Sequence, residues 1–242
     1  MEEALELEDY LPLSFKSEKD LEYVRFLWGS FNSNCENKQY QFAILPYHML
    51  FMAFVYFNVW QIKQVRKEDF RKALILKGNI EKDFLEATSP FTFHKENERS
   101  IFDFLKLVGC PKERIGNYKK LVDARNMIAH TNGHILLNDV GLLLDKVNDI
   151  LKRTAEIQSY SKEVITECYR NFLVSNGNED ERQYSNATDE TREVLIHENF
   201  LSMNDIKFCL AYDISELSRI PFYEGIQELH QALVDEYGEV EV

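Results

Sequence analysis

Glycine and proline are scarce in this chain, which contains 9 glycines and 5 prolines among its 242 residues. Sandwiches and barrels need many tight turns, and tight turns use these two residue types, so the composition argues against an all-β fold. Hydrophobic residues make up 45% of the chain and aromatic residues 13%, which is enough to build a core. The shortage of turn residues therefore favours long helices.

Cysteine is also rare. The chain has 4 cysteines, scattered without a C-x-x-C pair: Cys35, Cys110, Cys168 and Cys209. Such spacing fits reduced thiols in a cytoplasm. The N-terminus, Met1-Glu2-Glu3, is acidic, whereas a signal peptide starts with basic residues. We therefore expect a cytoplasmic protein.

Charged residues are missing from one long stretch. From residue 42 to residue 60 the chain carries nineteen residues without a formal charge, roughly the length that crosses a bilayer. Pro46, His48 and Asn58 lie within the stretch, and no second such stretch follows. A helix that is apolar on most sides can equally be the central helix of a bundle. We expect the buried helix, with His48 in the core, and keep a membrane span as the alternative.

Positive charge is in short supply, because 28 lysines and arginines face 41 aspartates and glutamates and the formal net charge is −13. An acidic protein repels nucleic acid. However, sixteen of the acidic and only four of the basic residues lie in 176–242, which leaves 1–175 with twenty-five and twenty-four. The acidity belongs to the C-terminal part, so the N-terminal part could carry a local basic surface.

Hydrophobic residues recur at helical spacing along most of the chain. The first predicted helix begins after Ser17, which can cap it. Glycine, proline and asparagine predict breaks at Gly78-Asn79, Ser89-Pro90, Gly109 and Thr131-Asn132-Gly133. The remaining predicted helices cover about 40–66, 68–76, 79–87, 96–108, 111–130, 135–172, 189–212 and 221–237.

Residues 175–189 are polar and almost devoid of aliphatic side chains, which is typical of a linker or mobile loop. We therefore predict an all-α fold in three parts: a helical bundle over 1–174, a polar linker or loop over 175–189, and an acidic helical extension over 190–242. The sequence contains no Gly-rich phosphate loop, Walker sequence or nucleophile elbow.

The predicted helix 111–130 separates polar from apolar side chains when it is drawn at 100° per residue. One side gathers polar and charged residues around two small ones: Arg125, Asn126, His130, Lys119 and Asp123, around Ala129 and Val122. The other side is apolar and is predicted to face the core: Leu121, Ala124, Met127 and Ile128.

The segment Arg125-Asn126-Met127-Ile128-Ala129-His130 resembles the signature of the HEPN superfamily of all-helical ribonucleases, an Arg-x-x-x-x-His segment in which a polar residue, often Asn, follows the Arg. Members of that family place this segment near a helix end, late in a bundle, and follow it with another long helix, as predicted here from residue 135. The resemblance covers about residues 17–172.

The resemblance implies metal-independent cleavage of RNA, without a cofactor, in which the ribose 2′-OH attacks the neighbouring phosphate. His130 would transfer protons, and Arg125 would hold the phosphate and stabilise its pentavalent state. Asn126, one turn before His130, would orient the imidazole or contact the phosphate. Cations nearby would attract the RNA backbone: Lys119, Lys120 and Arg114.

The resemblance also implies partners. HEPN ribonucleases pair so that two such segments line one cleft, so we expect a two-fold homodimer with the 111–130 helices facing each other. The expected role is that of a microbial toxin or antiviral defence effector acting on cellular RNA. The acidic C-terminal part could mask the cationic site or bind a basic partner such as an antitoxin, or it could serve only as a solubilising, dimer-packing extension.

Three alternatives stay open. A second Arg-x-x-x-x-His match, Arg192 to His197, is interpreted as a coincidence because the acidic Glu193 follows its arginine. His130 and His134 have the spacing of two zinc ligands on a helix, but no further ligand of matching spacing follows. A non-catalytic interaction or nucleotide-binding module is the main alternative, and the bulk acidity favours it.

Overall fold

The fold is all-α, as predicted. The computed structural model describes residues 2–75, 80–130 and 134–238, and the chain is 80% helical with no strand among these residues. The α-helices are α1 (Glu2–Leu5), α2 (Glu18–Glu36), α3 (Tyr40–Val65), α4 (Lys67–Leu74), α5 (Glu81–Leu85), α6 (Glu98–Ile101), α7 (Lys112–Ala129), α8 (Val140–Asn176), α9 (Ala187–Glu190), α10 (Met203–Leu210) and α11 (Tyr223–Tyr237). Shorter 3₁₀ segments lie at Glu6–Tyr10, Pro90–Lys95, Phe102–Val108, Glu179–Glu181 and Ile214–Leu217, and a π-helical segment lies at Thr191–His197.

The longest helices lie where the hydrophobic periodicity predicts them. α3 and α7 agree with the predictions 40–66 and 111–130 to within a residue or two at each end, and α8 starts a few residues later than predicted and runs further. The predicted breaks at Gly78-Asn79 and Thr131-Asn132-Gly133 involve residues outside the described ranges.

The predicted helix 189–212 is wrong as a single element. Phe200 adopts a left-handed backbone conformation with φ 53°, which a continuous right-handed helix does not allow. Ser202 then starts α10 through a capping box, in which its side chain accepts from the backbone of Asp205 and the Asp205 side chain accepts in return. The new helix start satisfies backbone N–H groups that would otherwise lack partners.

α3 is the central helix. Every residue from Leu50 to Ile62 is buried, and the helix packs against both α2 and α8. By length and composition it is the one candidate membrane span among the described residues, yet 83% of the candidate window is buried inside the protein. This burial is compatible with a soluble protein, and it confirms that His48 lies in the core.

Two hydrophobic clusters form the core, and α8 passes through both. The first cluster runs from Ala4 to Val164 along the chain and also includes Phe200. The second begins at Ile165 and extends to Leu233. The C-terminal helices therefore pack on the second half of α8, and the two clusters meet inside that helix.

A buried polar network joins the two parts of the chain. The carboxylate of Asp205 in α10 accepts hydrogen bonds from the side-chain amides of Gln61 in α3 and Gln158 in α8, and from the backbone N–H and hydroxyl of Ser202. Burial raises the pKa of Asp205, while these donors oppose the rise. The network holds the acidic helices against the rest of the protein.

The segment predicted as a polar linker, 175–189, is exposed at 179–181 and 183–186. Between these runs, the side chain of Arg182 is buried and donates hydrogen bonds to the carbonyl oxygens of Asn176 at 3.0 Å and Gly225 at 3.2 Å. It also forms an ion pair with Glu228. Arg182 thereby attaches this segment to both α8 and α11.

Candidate functional site

α7 turns a different face to the core from the one the sequence predicts. Met127, expected in the core, is 58% exposed, and Val122, expected on the polar side, is 3% exposed. That prediction is wrong for these two residues. The buried side chains of α7 centre on the direction of Arg125 when drawn at 100° per residue: Ile115, Tyr118, Leu121, Val122 and Ile128.

The reason for this rotation lies in the first half of α7. Ile115 and Tyr118 are both buried, and the ring of Tyr118 lies 5.9 Å from that of Phe102, centroid to centroid. Large aromatic side chains contribute much of the burial energy of a core. The packing of these two residues therefore sets the orientation of the whole helix and turns Arg125 inward.

Arg125 forms an ion pair with Glu98, the first residue of α6. The arginine side chain is only 25% exposed, and its Nε atom is buried without a hydrogen-bond partner among the described residues. A phosphate that binds this guanidinium must therefore compete with a carboxylate. Glu98 belongs to no motif in the sequence, and only the packing of α6 beside α7 brings it here.

His48 of α3 completes this group, which we call the Arg–Glu–His cluster (Arg125, Glu98 and His48). The Nε2 atom of His48 lies 3.5 Å from Oε2 of Glu98. Burial lowers the pKa of His48, and the charge of Arg125 acts in the same direction, while Glu98 opposes both. Burial by itself would raise the pKa of Glu98, but His48 and Arg125 outweigh it, so this pKa is lowered. At neutral pH the cluster therefore contains an ionised carboxylate and a neutral imidazole.

His130 lies at the end of α7 and is exposed. Its backbone is extended, with φ −91° and ψ 146°, and its backbone N–H donates to the carbonyl oxygen of Asn126 at 3.0 Å. Asn126 itself is half-buried. The imidazole of His130 is thus accessible to a large substrate, whereas Arg125 faces inward, so the two side chains do not share one solvent-exposed face.

Two of the cations predicted to attract RNA are paired with carboxylates. The Nζ atom of Lys119 lies 3.1 Å from each carboxylate oxygen of Asp103. Arg114 contacts Glu156 at 3.2 Å. These ion pairs reduce the attraction that either cation can offer to a polyanion.

Lys120 differs from the other two. Its Nζ atom donates to the amide oxygen of Asn117 at 3.0 Å, and the side chain is exposed. Asp123, on the same stretch of α7, is itself paired with Arg99 of α6. Of the three predicted backbone contacts, Lys120 is therefore the one whose charge is best able to reach a phosphate.

Apolar side chains are exposed on both sides of His130 along the chain. We call them the α7–α8 apolar surface: Met127, Ile135, Val140 and Leu142. The segment that contains Ile135 is fixed to the start of α3, because the backbone N–H of Leu136 donates to Oε1 of Gln41 at 2.6 Å. Exposed apolar groups of this kind are costly in water, and a second molecule can cover them.

The two remaining alternatives from the sequence also have a place in the structure. His130 and His134 are both exposed, and the described part of the chain contains no group of three or more His, Cys, Asp or Glu that could hold a metal ion. In the second Arg-x-x-x-x-His match, Arg192 contacts Glu236 at 2.9 Å and His197 contacts Ser14 at 3.1 Å. Both side chains of that match take part in packing contacts between elements.

Comparisons with known proteins add no assignment, since no family model, no curated protein and no solved structure matches the chain. What the fold and the site define is an all-α protein with an Arg-x-x-x-x-His segment at a helix end, the arginine in an ion pair and the histidine exposed.

Proposed function

We propose that the protein is a metal-independent endoribonuclease of HEPN type, active as a cytoplasmic homodimer and serving as a toxin or antiviral defence effector. The observation that supports the proposal is the exposed imidazole of His130 at the end of α7, five residues after Arg125. An imidazole that substrate can reach is suited to moving protons near neutral pH.

In this proposal the scissile phosphate replaces the carboxylate of Glu98 on Arg125. Carboxylates and phosphates offer the guanidinium a similar pair of oxygen acceptors, so the exchange preserves charge-assisted hydrogen bonds. Arg125 then stabilises the extra negative charge that develops as the 2′-OH attacks. His130 takes part in proton transfer to or from the reacting oxygens.

The proposed dimer brings together two copies of the α7–α8 apolar surface. A two-fold axis places the same patch on both protomers, so Met127 and Ile135 of each chain would be covered by the other. The two His130 residues would then lie on either side of one RNA strand. A composite site answers the shortage of proton-transfer groups in a single copy.

The experiment is a cleavage assay with purified protein and a long unstructured RNA, in the presence of EDTA. We expect cleavage by the wild type and a loss of at least a hundredfold in His130→Ala, since general acid–base catalysis contributes about 10²–10⁴ in rate. His134→Ala removes another exposed histidine four residues later and is the matched control. Loss of activity in both variants, together with inhibition by EDTA, would indicate the zinc alternative.

A second candidate function is a non-catalytic helical interaction or nucleotide-binding module. The observation in its favour is the Arg–Glu–His cluster, in which Arg125 already has a carboxylate partner. This candidate predicts no RNA cleavage by the wild type at any enzyme concentration. It also predicts that His130→Ala leaves partner binding unchanged, while Arg125→Ala lowers the stability of the fold.

A further inference from the structure

A cavity of about 470 Å³ lies among α2, α3 and the 3₁₀ segment Pro90–Lys95. Its size falls within the range of small-molecule sites, about 300–1,000 Å³. Two carboxylates and an aromatic group line it, with Met49 and Met52 beside them: Asp20, Glu98, Tyr23, Tyr56 and Phe91. The proposed ribonuclease reaction uses no residue of this cavity except Glu98.

The two carboxylates are held in different ways. Glu98 is paired with Arg125, so its charge is balanced from within the protein. Asp20 accepts a hydrogen bond from the hydroxyl of Ser89 at 2.7 Å, and no ion pair connects it to a cation among the described residues. Burial raises the pKa of Asp20, and the Ser89 hydroxyl opposes the rise. The cavity therefore carries negative charge that the protein leaves unbalanced.

The hydroxyl group of Tyr56 gives a second, independent indication of a ligand. Tyr56 is only 7% exposed and lines the cavity, yet its hydroxyl makes no hydrogen bond with the described residues. Buried polar groups normally have a partner, and leaving one without a partner is costly. A donor brought in by a ligand would satisfy this oxygen.

The aromatic rings present both faces and edges to the cavity. The ring centroids of Tyr23 and Phe91 are 5.2 Å apart at an interplanar angle of 89°, and those of Tyr56 and Phe91 are 6.4 Å apart at 83°. The face of an aromatic ring is electron-rich and attracts cations. The thioethers of Met49 and Met52 add a polarisable apolar wall.

We infer that this cavity binds a small organic ammonium compound with an apolar body. The ammonium group would lie against Asp20 and donate to the Tyr56 hydroxyl, and the apolar body would pack on Phe91 and Met52. An anionic ligand would meet two carboxylates, and a neutral ligand would leave the charge of Asp20 without a counter-ion. The inference does not depend on the proposed ribonuclease function.

The test uses 2-phenylethylammonium as the probe, with the neutral 2-phenylethanol and the anionic 3-phenylpropionate as comparison compounds. Binding is measured by titration calorimetry and by the shift of the ¹³C-methyl NMR signals of Met49 and Met52. We expect the ammonium compound to bind at least tenfold more tightly than either comparison compound and to shift both methionine signals.

Three variants make the test specific. Asp20→Asn keeps an acceptor for Ser89 and is expected to weaken ammonium binding at least tenfold. Tyr56→Phe removes only a hydroxyl that the described residues do not use, so it is expected to weaken binding about fivefold without loss of thermal stability. Asp145→Asn makes the same charge change at an exposed position on α8 and is expected to leave binding unchanged.

Any of four results would overturn the inference. The ammonium compound does not bind at millimolar concentration, or 2-phenylethanol binds equally well. Alternatively, Asp20→Asn has no larger effect than Asp145→Asn, or the NMR shifts fall on methionines other than Met49 and Met52. None of these results bears on RNA cleavage, so failure here is distinct from failure of the proposed function.

Discussion

At the scale of single residues, the Arg–Glu–His cluster is the feature that the sequence predicts least well. The signature at 125–130 identifies Arg125 and His130 but not Glu98, which lies 27 positions before the arginine and in no recognisable pattern. His48 is predicted to be buried, which is confirmed, but its neighbour is not. Contacts between residues so far apart depend on how helices pack, and helical periodicity carries no information about that.

Glu98→Gln should lower stability in a pH-dependent way. The pKa of Glu98 is lowered in the folded protein, so its stabilising effect is present above the ordinary glutamate value, about 4.3, and is lost as the pH falls through the lower folded value. We expect a loss of about 2 kcal/mol at pH 7. Urea unfolding of wild type and variant checks this at pH 7 and at the lowest pH at which both proteins fold.

The control for this prediction is Glu86→Gln, which alters an exposed glutamate at the end of α5. Its unfolding curve should follow that of the wild type at both pH values. A loss in Glu98→Gln that is equally large at the acidic pH would contradict the assignment of a lowered pKa to Glu98.

Lys120→Ala should weaken RNA binding more than Arg114→Ala does. Lys120 has an amide partner, whereas Arg114 has the carboxylate of Glu156. Loss of one phosphate contact reduces the slope of log affinity against log salt by about 1. Fluorescence anisotropy with a labelled RNA at several salt concentrations measures both quantities. Equal effects of the two substitutions would show that the ion pair with Glu156 does not decide the contribution.

At the scale of helices, hydrophobic periodicity predicts the position of α3, α7 and α8 well because each is long and regularly patterned. It fails on the orientation of α7, since Ile115 and Tyr118 set the buried face and the polar residues near the helix end do not. It also fails near Phe200, where a left-handed residue and a capping box start a new helix inside an apolar pattern.

Gly225→Ala should destabilise the contact between α11 and the end of α8. A Cβ at this position would lie 2.0 Å from the carbonyl oxygen of Gly177, a backbone atom, so one of the two segments must shift. Overpacking of this kind costs about 1–3 kcal/mol. Chemical denaturation followed by circular dichroism measures the loss.

Gly29→Ala is the matched control for that substitution. Gly29 lies inside α2, is exposed, and has no atom within 4 Å of an added Cβ. Alanine favours a helix over glycine by up to about 1 kcal/mol, so this variant should be more stable than the wild type. Two substitutions of the same type are thus expected to act in opposite directions, and equal effects would contradict the described packing of α11.

At the scale of the whole molecule, the charge distribution correctly separates an acidic C-terminal part, but it does not reveal how that part is attached. The second hydrophobic cluster includes Ile165, Tyr169 and Leu173 of α8, which precede the predicted linker. The network around Asp205 then connects α10 to α3 and α8. Composition carries no record of such contacts.

Removal of 176–242 should therefore destabilise the remaining chain. The deletion exposes Tyr169 and Leu173 to water and leaves the buried amides of Gln61 and Gln158 without their acceptor. We expect aggregation or a markedly lower melting temperature than in the full-length protein, measured by light scattering and calorimetry. A stable, monodisperse fragment would show that the C-terminal helices are dispensable for the fold.

The most direct test of the central claim is the chemistry of the RNA ends that the full-length protein produces in EDTA. Attack by the 2′-OH predicts products that end in a 2′,3′-cyclic phosphate, no cleavage of DNA of the same sequence, and loss of these products in His130→Ala but not in His134→Ala. Mass spectrometry of the fragments identifies the ends. Products with a 5′-phosphate, equal cleavage of DNA, or full activity in His130→Ala would contradict the account.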